Sequence, residues 1–157
     1  MRIGEQTRIP SAGQNRKVPV FGALDPHSGR LVAGLFGRKN SACFILFLKQ
    51  LLRLYAGKHI FLFLDNCSIH HAKVVMRFLA DHPDRISVIW NATYAPQLNL
   101  IERYWGHLKA KAIHNYFFET QERLEKAIRN AVSVMNRSEK SKMTIHLHTL
   151  KSLSDAA

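Results

Sequence analysis

An uncharged apolar run, Ile60 to Leu64, leads directly into a carboxylate at Asp65. Further along the chain, the segment Asn99 to Trp105 begins a helical pattern and delivers a second acid, Glu102. An apolar strand that ends in Asp, followed by an amphipathic helix with Glu in its first turn, can bring two distant carboxylates together over one divalent metal. This pair therefore predicts metal-dependent chemistry on phosphate esters.

Length and charge narrow the class of protein. The chain has 157 residues, enough for one domain with a single core, and 46% of them are hydrophobic. Its 23 Lys and Arg against 11 Asp and Glu give a formal net charge of +12, and the pI is near 10.2. This balance favours a polyanionic partner, with nucleic acid as the natural candidate, although a basic surface can also serve solubility or ribosome association.

The sequence predicts neither a membrane span nor a secretory signal. The longest uninterrupted apolar run is Ala42 to Leu48, well short of the roughly 20 residues that cross a bilayer. Behind the positive charge at the N-terminus there is no apolar stretch. Cys43 and Cys67 make neither a disulfide framework nor a metal-binding knuckle. We therefore expect a soluble protein of the reducing cytoplasm.

The hydrophobic spacing predicts an opening hairpin followed by alternating helices and strands, and hence a mixed α/β sheet with helices packed on its faces. The continuously apolar strand before Asp65 has the pattern of a buried central strand. The predicted elements are strands over 18–24 and 31–36 joined by a turn over 25–29, a helix from Asn40 or Ser41 to Tyr55 that Gly57 ends, a strand over 59–64, a helix around Ala72 to Leu79 that Pro83 ends, a strand over 86–90, and two helices with apolar faces from Leu98 to Ala112 and from Leu124 to Met135.

Both acids also have simpler structural explanations. Asp65 can satisfy backbone donors in the turn that follows its strand. With Asn99 as the N-cap, Glu102 falls at the third helical position, which is a capping-box arrangement that needs no metal. A capping role and a metal-binding role do not exclude each other, and the spacing alone leaves both open.

Residues close to the acids can support such a site. Asn66 and His70 could orient the Asp65 carboxylate or a bound phosphate, although for His70 the favoured interpretation is a helix N-terminal residue with ordinary hydrogen bonds. Tyr94, in a loop beside Pro96, could stack on a base. The remaining histidines lack the spacing of a zinc helix. There is no glycine-rich phosphate loop, which argues against a nucleotide triphosphatase.

Two longer blocks resemble a known family. The residues Leu64-Asp65-Asn66-Cys67-Ser68-Ile69-His70, and the segment from Tyr94 to Lys109 with its Tyr-x-Pro-x-Leu-Asn-x-Ile-Glu-x-x-Trp pattern, resemble the two C-terminal signature blocks of bacterial insertion-sequence transposases of the mariner superfamily. The segment Val20 to Leu24 is similar to the hairpin of the same family. The resemblance spans roughly residues 4 to 135.

The resemblance implies a ribonuclease-H-like fold whose triad of two aspartates and a glutamate binds two Mg²⁺ or Mn²⁺ ions. By position, Asp65 resembles the second aspartate and Glu102 the glutamate. The implied reaction is nicking at transposon ends, then attack of the freed 3′-hydroxyl on target DNA. It also implies double-stranded DNA as partner, a location at the nucleoid, and a homodimer or an intact transposase subunit as a second partner. Supporting or DNA-contacting roles fall on Asn66, His70, Tyr94, Asn99, Arg103 and Lys109.

One part of the family pattern is missing from this sequence. The family's first aspartate lies on a strand before the hairpin, at the centre of the sheet, and Asp25 cannot readily replace it. We therefore expect a partial catalytic domain over residues 1–137, without the first strand, and a C-terminal tail over 138–157. The leading interpretation is an incomplete DNA transposase, truncated or split, with impaired activity. The alternatives are a non-catalytic basic DNA-binding relic that regulates an intact transposase and, less favoured, a ribonuclease-H-like enzyme acting on RNA.

Overall fold

The structure is a computed structural model that describes residues 17–91, 101–114 and 116–138. Residues 1–16 and most of the predicted C-terminal tail lie outside these residues. The order of elements agrees with the sequence prediction. They are β1 (Val20–Asp25), β2 (Arg30–Leu35), α1 (Ser41–Leu54), β3 (Ile60–Leu64), α2 (Lys73–Ala80), β4 (Ile86–Trp90), α3 (Ile101–Ala112) and α4 (Gln121–Ser138).

The chain divides into two compact units. The first contains Pro19–Leu24 and Val32–Glu102. The second contains the turn Asp25–Leu31 and, among the described residues, also 17–18, 103–114 and 116–138. None of the described helices is both long enough and apolar enough to span a bilayer.

The Asp25 side chain stabilises the turn between β1 and β2. Its Oδ1 accepts a hydrogen bond from the His27 backbone N–H at 2.9 Å, and its Oδ2 accepts one from Ser28 Oγ at 2.8 Å. The turn closes with Gly29, whose φ of 69° lies in the left-handed region that favours glycine. Asp25 therefore builds the turn.

Helix α1 begins and ends as its sequence predicts. The Asn40 side chain accepts a hydrogen bond from the Cys43 backbone N–H at 2.9 Å, which satisfies one of the free donors of the first turn. At the other end, Arg85 Nη2 donates to the carbonyls of Leu52 at 3.1 Å and Tyr55 at 3.2 Å. A cation placed there also complements the negative end of the helix dipole. Arg85 thereby joins the end of α1 to the start of β4.

Strands β3 and β4 are parallel, with Ile60 paired to Ile86 and Leu64 paired to Trp90. Side chains alternate between the two faces of a strand, so one face of β3 carries Leu62 and Leu64, which contact the core. That core is formed by the buried residues of the first unit, Phe21, Val32, Phe44, Phe47, Leu48, Leu51, Leu64, Val75, Leu79 and Ile86.

The other face of β3 is exposed, so the prediction of a strand buried on both faces is wrong. Phe61 is 64% exposed and Phe63 is 63% exposed, and Ile89, paired with Phe63 on β4, is also exposed. Helices α1 and α2 contact each other, and residues of both belong to the core on the Leu62 face. An apolar run does not reveal whether one or two faces of its strand are covered.

The four strands form two separate two-stranded sheets, β1 with β2 and β3 with β4. Among residues 17–91, no strand joins the two pairs into one sheet. Parallel strands joined by a helix next to a hairpin make a mixed α/β fold, so the predicted class is confirmed.

In the second unit, a side chain of α4 binds the backbone of β2. Asn136 Oδ1 accepts from the Leu31 N–H at 2.8 Å, and Asn136 Nδ2 donates to the Leu31 carbonyl at 2.9 Å. Leu31 is 1% exposed, so its backbone groups have little access to water. Over the described residues the predicted apolar faces of the last two helices are confirmed, with Leu108, Ala112, Leu124, Ile128, Ala131 and Met135 all buried. Leu98, where the first of these faces is predicted to begin, lies outside the described residues.

We predict that Asn136→Ala lowers the free energy of unfolding by about 1–3 kcal/mol, because the substitution leaves a buried donor and a buried acceptor without partners. Urea denaturation followed by circular dichroism measures the change. Asn130→Ala is the matched control, since Asn130 is an exposed asparagine of the same helix, and we expect it to change the free energy by less than about 0.5 kcal/mol. Equal effects of the two substitutions would contradict the assigned role of Asn136.

Candidate active site

Asp65 lies at the carboxyl end of β3, directly after the buried Leu64. Its side chain is 58% exposed. Its Oδ1 lies 2.9 Å from His70 Nδ1 and accepts a hydrogen bond from the Cys67 backbone N–H at 3.3 Å. The contact with Cys67 is the turn-building role that the sequence allows. The contact with His70 also orients the carboxylate, which stays accessible to solvent at the end of the strand.

His70 is fixed between Asp65 and the core. Its side chain is only 14% exposed, and its ring centroid lies 4.5 Å from that of Phe44, a buried residue of α1. Its Nδ1 also lies 3.2 Å from the Asp65 carbonyl oxygen, so a proton on Nδ1 serves both oxygens. His70 belongs to the turn before α2, which corrects the interpretation of this residue as a helix N-terminal one.

A second group of side chains fixes Asn66. Its Nδ2 donates to the Asn91 carbonyl at 3.2 Å, and its Oδ1 lies 3.3 Å from His71 Nε2. The His71 ring stacks on Trp90 with centroids 4.1 Å apart. The loop after β3 is therefore tied to the end of β4. The sequence does not predict this stacking, because no local pattern relates His71 to Trp90.

Glu102 is the second residue of α3 and is exposed. It lies in the first helical turn, as predicted, but its predicted capping partner Asn99 lies outside the described residues, and so does Tyr94. Arg103 and Lys109 are both exposed on α3. Asp65 and Glu102 belong to the same unit of the chain, but their convergence on one ion is still a prediction.

The chemistry of the two acids fits a hard dication, because carboxylate oxygens are the ligands that Mg²⁺ and Mn²⁺ take. The hydrogen bonds to the Asp65 side chain among the described residues fall on Oδ1, which leaves Oδ2 for another ligand. Residues 17–91, 101–114 and 116–138 contain no group of three or more His, Cys, Asp or Glu side chains placed to hold a metal ion. The described part of the chain thus offers individual donors, not an assembled site.

The architecture matches the fold of retroviral integrase catalytic cores. The structure is similar to the catalytic core domain of BIV integrase, with a TM-score of 0.61 and 20% identity over 87% of this chain and 91% of that one. It is also similar to a chain of the simian T-cell lymphotropic virus intasome in complex with the PP2A regulatory subunit B56 gamma, with a TM-score of 0.57 and 19% identity over 71% of this chain and 41% of that one. The predicted ribonuclease-H-like mixed α/β fold is confirmed.

The sequence gives the family. Residues 1–125 match the family described as DDE superfamily endonuclease, and the chain belongs to it. It is 31% identical over 134 residues to the "Insertion element IS630 uncharacterized 39 kDa protein" of Shigella sonnei. That alignment takes in 85% of this chain and 39% of the relative, so the chain spans about two fifths of the length of the relative it matches. The prediction of a transposase-like DDE endonuclease domain is confirmed at this level.

The contacts of Asn66 generate a test of the loop that carries the site. We predict that Asn66→Ala increases backbone amide exchange in residues 66–71 by roughly 2- to 10-fold, because a lost hydrogen bond costs about 0.5–1.5 kcal/mol of local stability. Hydrogen–deuterium exchange with peptide mapping measures this, with α1 as the internal reference. Ser68→Ala, at an exposed position of the same loop, is the control. Unchanged exchange in Asn66→Ala would mean that its contacts do not order the loop.

Proposed function

We propose that this chain is the catalytic part of an insertion-sequence DNA transposase of the mariner superfamily, acting by metal-dependent cleavage and strand transfer at transposon ends. The observation that carries the proposal is the Asp65 carboxylate, exposed at the end of a strand and oriented by a nearly buried histidine 2.9 Å away. Open α/β sheets present their reactive groups at such strand ends. Family membership and the 31% identity to an insertion-element protein support this proposal.

Asp65 and Glu102 are the proposed ligands of Mg²⁺ or Mn²⁺. When bound, two such ions activate the attacking oxygen and stabilise the leaving oxygen of an in-line phosphoryl displacement. Asp65 would offer Oδ2 to the metal while Oδ1 keeps its contact with His70. Glu102 would contribute from the first turn of α3, next to the positive end of that helix.

His70 and Asn66 are proposed as positioning residues. His70 would hold the Asp65 carboxylate in one rotamer, since its ring is confined by Phe44 and its Nδ1 meets the Asp65 oxygens. Asn66 would hold the backbone of the same loop through Asn91 and His71. A ligand that is already oriented loses less conformational freedom when it binds a metal.

Double-stranded DNA, at transposon ends and at the target, is the proposed partner. The net charge of +12 favours a polyanion, and the exposed Arg103 and Lys109 follow Glu102 on α3. Roles for Tyr94 and Asn99 in DNA contact are proposed on the sequence pattern alone. Chromosomal DNA as substrate would place the protein at the bacterial nucleoid, as a homodimer or with an intact transposase subunit.

A second candidate function, a non-catalytic DNA-binding regulator of an intact transposase, is favoured by a different observation. Among the described residues, no three His, Cys, Asp or Glu side chains lie together to hold a metal ion, whereas a two-ion site needs anionic oxygens on several sides. The two functions predict the same salt-sensitive DNA binding. They differ in metal binding and in cleavage.

For the catalytic function we predict Mg²⁺-dependent nicking of supercoiled plasmid that Asp65→Ala and Glu102→Gln each reduce by more than about 100-fold, beyond the roughly 10- to 100-fold effect of residues that only support a ligand. Gel analysis measures nicking, and isothermal titration with Mn²⁺ measures binding to the same variants. Glu119→Gln is the control, since Glu119 is an exposed acid paired with Arg123. Salt-sensitive DNA binding without Mn²⁺ binding or nicking would favour the regulator instead.

For the positioning role we predict that His70→Ala lowers nicking about 10- to 100-fold and raises the metal concentration that gives half-maximal nicking. His70→Asn should recover part of both losses, because its side-chain amide can still donate to the carboxylate. His82→Ala is the matched control, since His82 also packs on a phenylalanine and binds a backbone carbonyl, at the end of α2. A rate loss with no change in metal dependence would indicate a purely structural role.

A further inference from the structure

The segment from Arg103 to Phe118 combines cations and aromatic rings without a single carboxylate. On α3, Arg103, His107 and Lys111 recur every fourth residue and are all exposed, so they lie along one side of the helix. The buried residues Leu108 and Ala112 lie roughly 120° around the helix from this row. The segment thus presents to solvent a stripe made of two permanent cations, Arg103 and Lys111, with a histidine between them.

Exposed aromatic residues follow the end of this stripe. Tyr116 is 67% exposed, Phe117 is 44% exposed, and Ile113 before them is 37% exposed. The Tyr116 backbone N–H donates to the Ile113 carbonyl at 3.3 Å, and the Tyr116 ring lies 6.3 Å from that of Phe118, which is half-buried. Tyr116 is therefore anchored from one side while most of its surface faces solvent. Contiguous exposed apolar surface of this kind marks interaction sites.

Two of the acids that follow the segment, Glu119 and Glu125, pair with cations of α4. Glu119 pairs with Arg123 at 2.6 Å, and Glu125 lies 3.7 Å from Arg129, each within α4. Thr120 caps α4 by accepting from the Arg123 N–H at 3.2 Å. The charges of Glu119 and Glu125 are thus met by cations of α4 and not by the stripe.

We propose that the exposed rings of Tyr116 and Phe117, together called the platform, each offer a face for stacking to unpaired bases of DNA, with the phosphate backbone held along the Arg103, His107 and Lys111 stripe. The proposal rests on the proposed function in taking DNA as the substrate, and it adds a feature of that substrate, a strand end with bases outside the duplex. Cations beside an aromatic platform suit a single strand, because phosphates meet the charges while base faces meet the rings. In an intact duplex the base faces are covered by their neighbours, so the rings would find no partner.

Fluorescence anisotropy with three labelled DNAs tests the platform: a blunt duplex, the same duplex with a single-stranded 3′ extension, and that extension made of abasic residues, which keep the phosphates but lack bases. For the unsubstituted chain we expect the base-containing extension to bind at least about 5-fold more tightly than the abasic one, as stacking on an aromatic side chain implies. Tyr116→Ala with Phe117→Ala should abolish that ratio and leave blunt-duplex binding unchanged. Tyr116→Phe should retain it.

Two controls separate stacking from charge and from folding. Phe61→Ala removes an aromatic ring of similar exposure on β3 and should keep the ratio. Lys109→Ala with Lys111→Ala should weaken binding of all three DNAs alike and reduce its salt dependence. Thermal unfolding of each variant checks that the fold is intact. An equal affinity of the unsubstituted chain for base-containing and abasic extensions would overturn the proposal.

Sedimentation and nicking assays separate base stacking from self-association and from catalysis. If the Tyr116 and Phe117 substitutions changed the sedimentation of the chain instead of its base preference, the surface would be an interface between copies, and the proposal would be wrong. Asp65→Asn should abolish nicking and keep the base preference. A base preference without nicking in the unsubstituted chain would support the platform and count against the proposed catalysis, whereas nicking without a base preference would do the reverse.

Discussion

The parallel pairing of β3 with β4 is the constraint on which the candidate site depends. Leu64 pairs with Trp90, and the Asn91 N–H donates to the Leu64 carbonyl at 2.8 Å, so both strands end at the same level. Asp65 follows at once, and the loop behind it meets the end of β4 through Asn66, His71 and Trp90. Without this register, the carboxylate would sit on a loop with few restraints. The register holds the backbone from which Asp65 contacts His70, whose ring in turn packs on Phe44.

What the sequence could predict was local. Asn40, Gly57 and the apolar spacing between them are sufficient for α1, because a helix is capped and buried through residues a few positions apart. The hairpin turn follows from Asp25 and Gly29 for the same reason. Asp65 at the end of its strand, and Glu102 in the first turn of its helix, could likewise be located from pattern and resemblance.

What the sequence could not predict depends on contacts between distant residues. The stacking of His71 on Trp90 requires the register of two parallel strands, and the binding of Asn136 to the Leu31 backbone joins residues 105 positions apart. The exposure of Phe61 and Phe63 also escaped prediction, since an apolar run is the same whether one face or both are covered. The relation of Asp65 to Glu102 is of this kind too, which is why their shared metal is proposed from chemistry and family membership.

The exposed face of β3 has a consequence for how the protein behaves as a concentrated solution. Phe61, Phe63 and Ile89 would attract any similar surface on another molecule, while a formal net charge of +12 keeps molecules apart at low ionic strength. Added salt shortens the range of that repulsion to roughly 3 Å at 1 M and does not weaken the attraction between apolar groups. The colloidal stability of this chain therefore depends on the balance between charge repulsion and apolar attraction. It should fall as the ionic strength of the buffer rises.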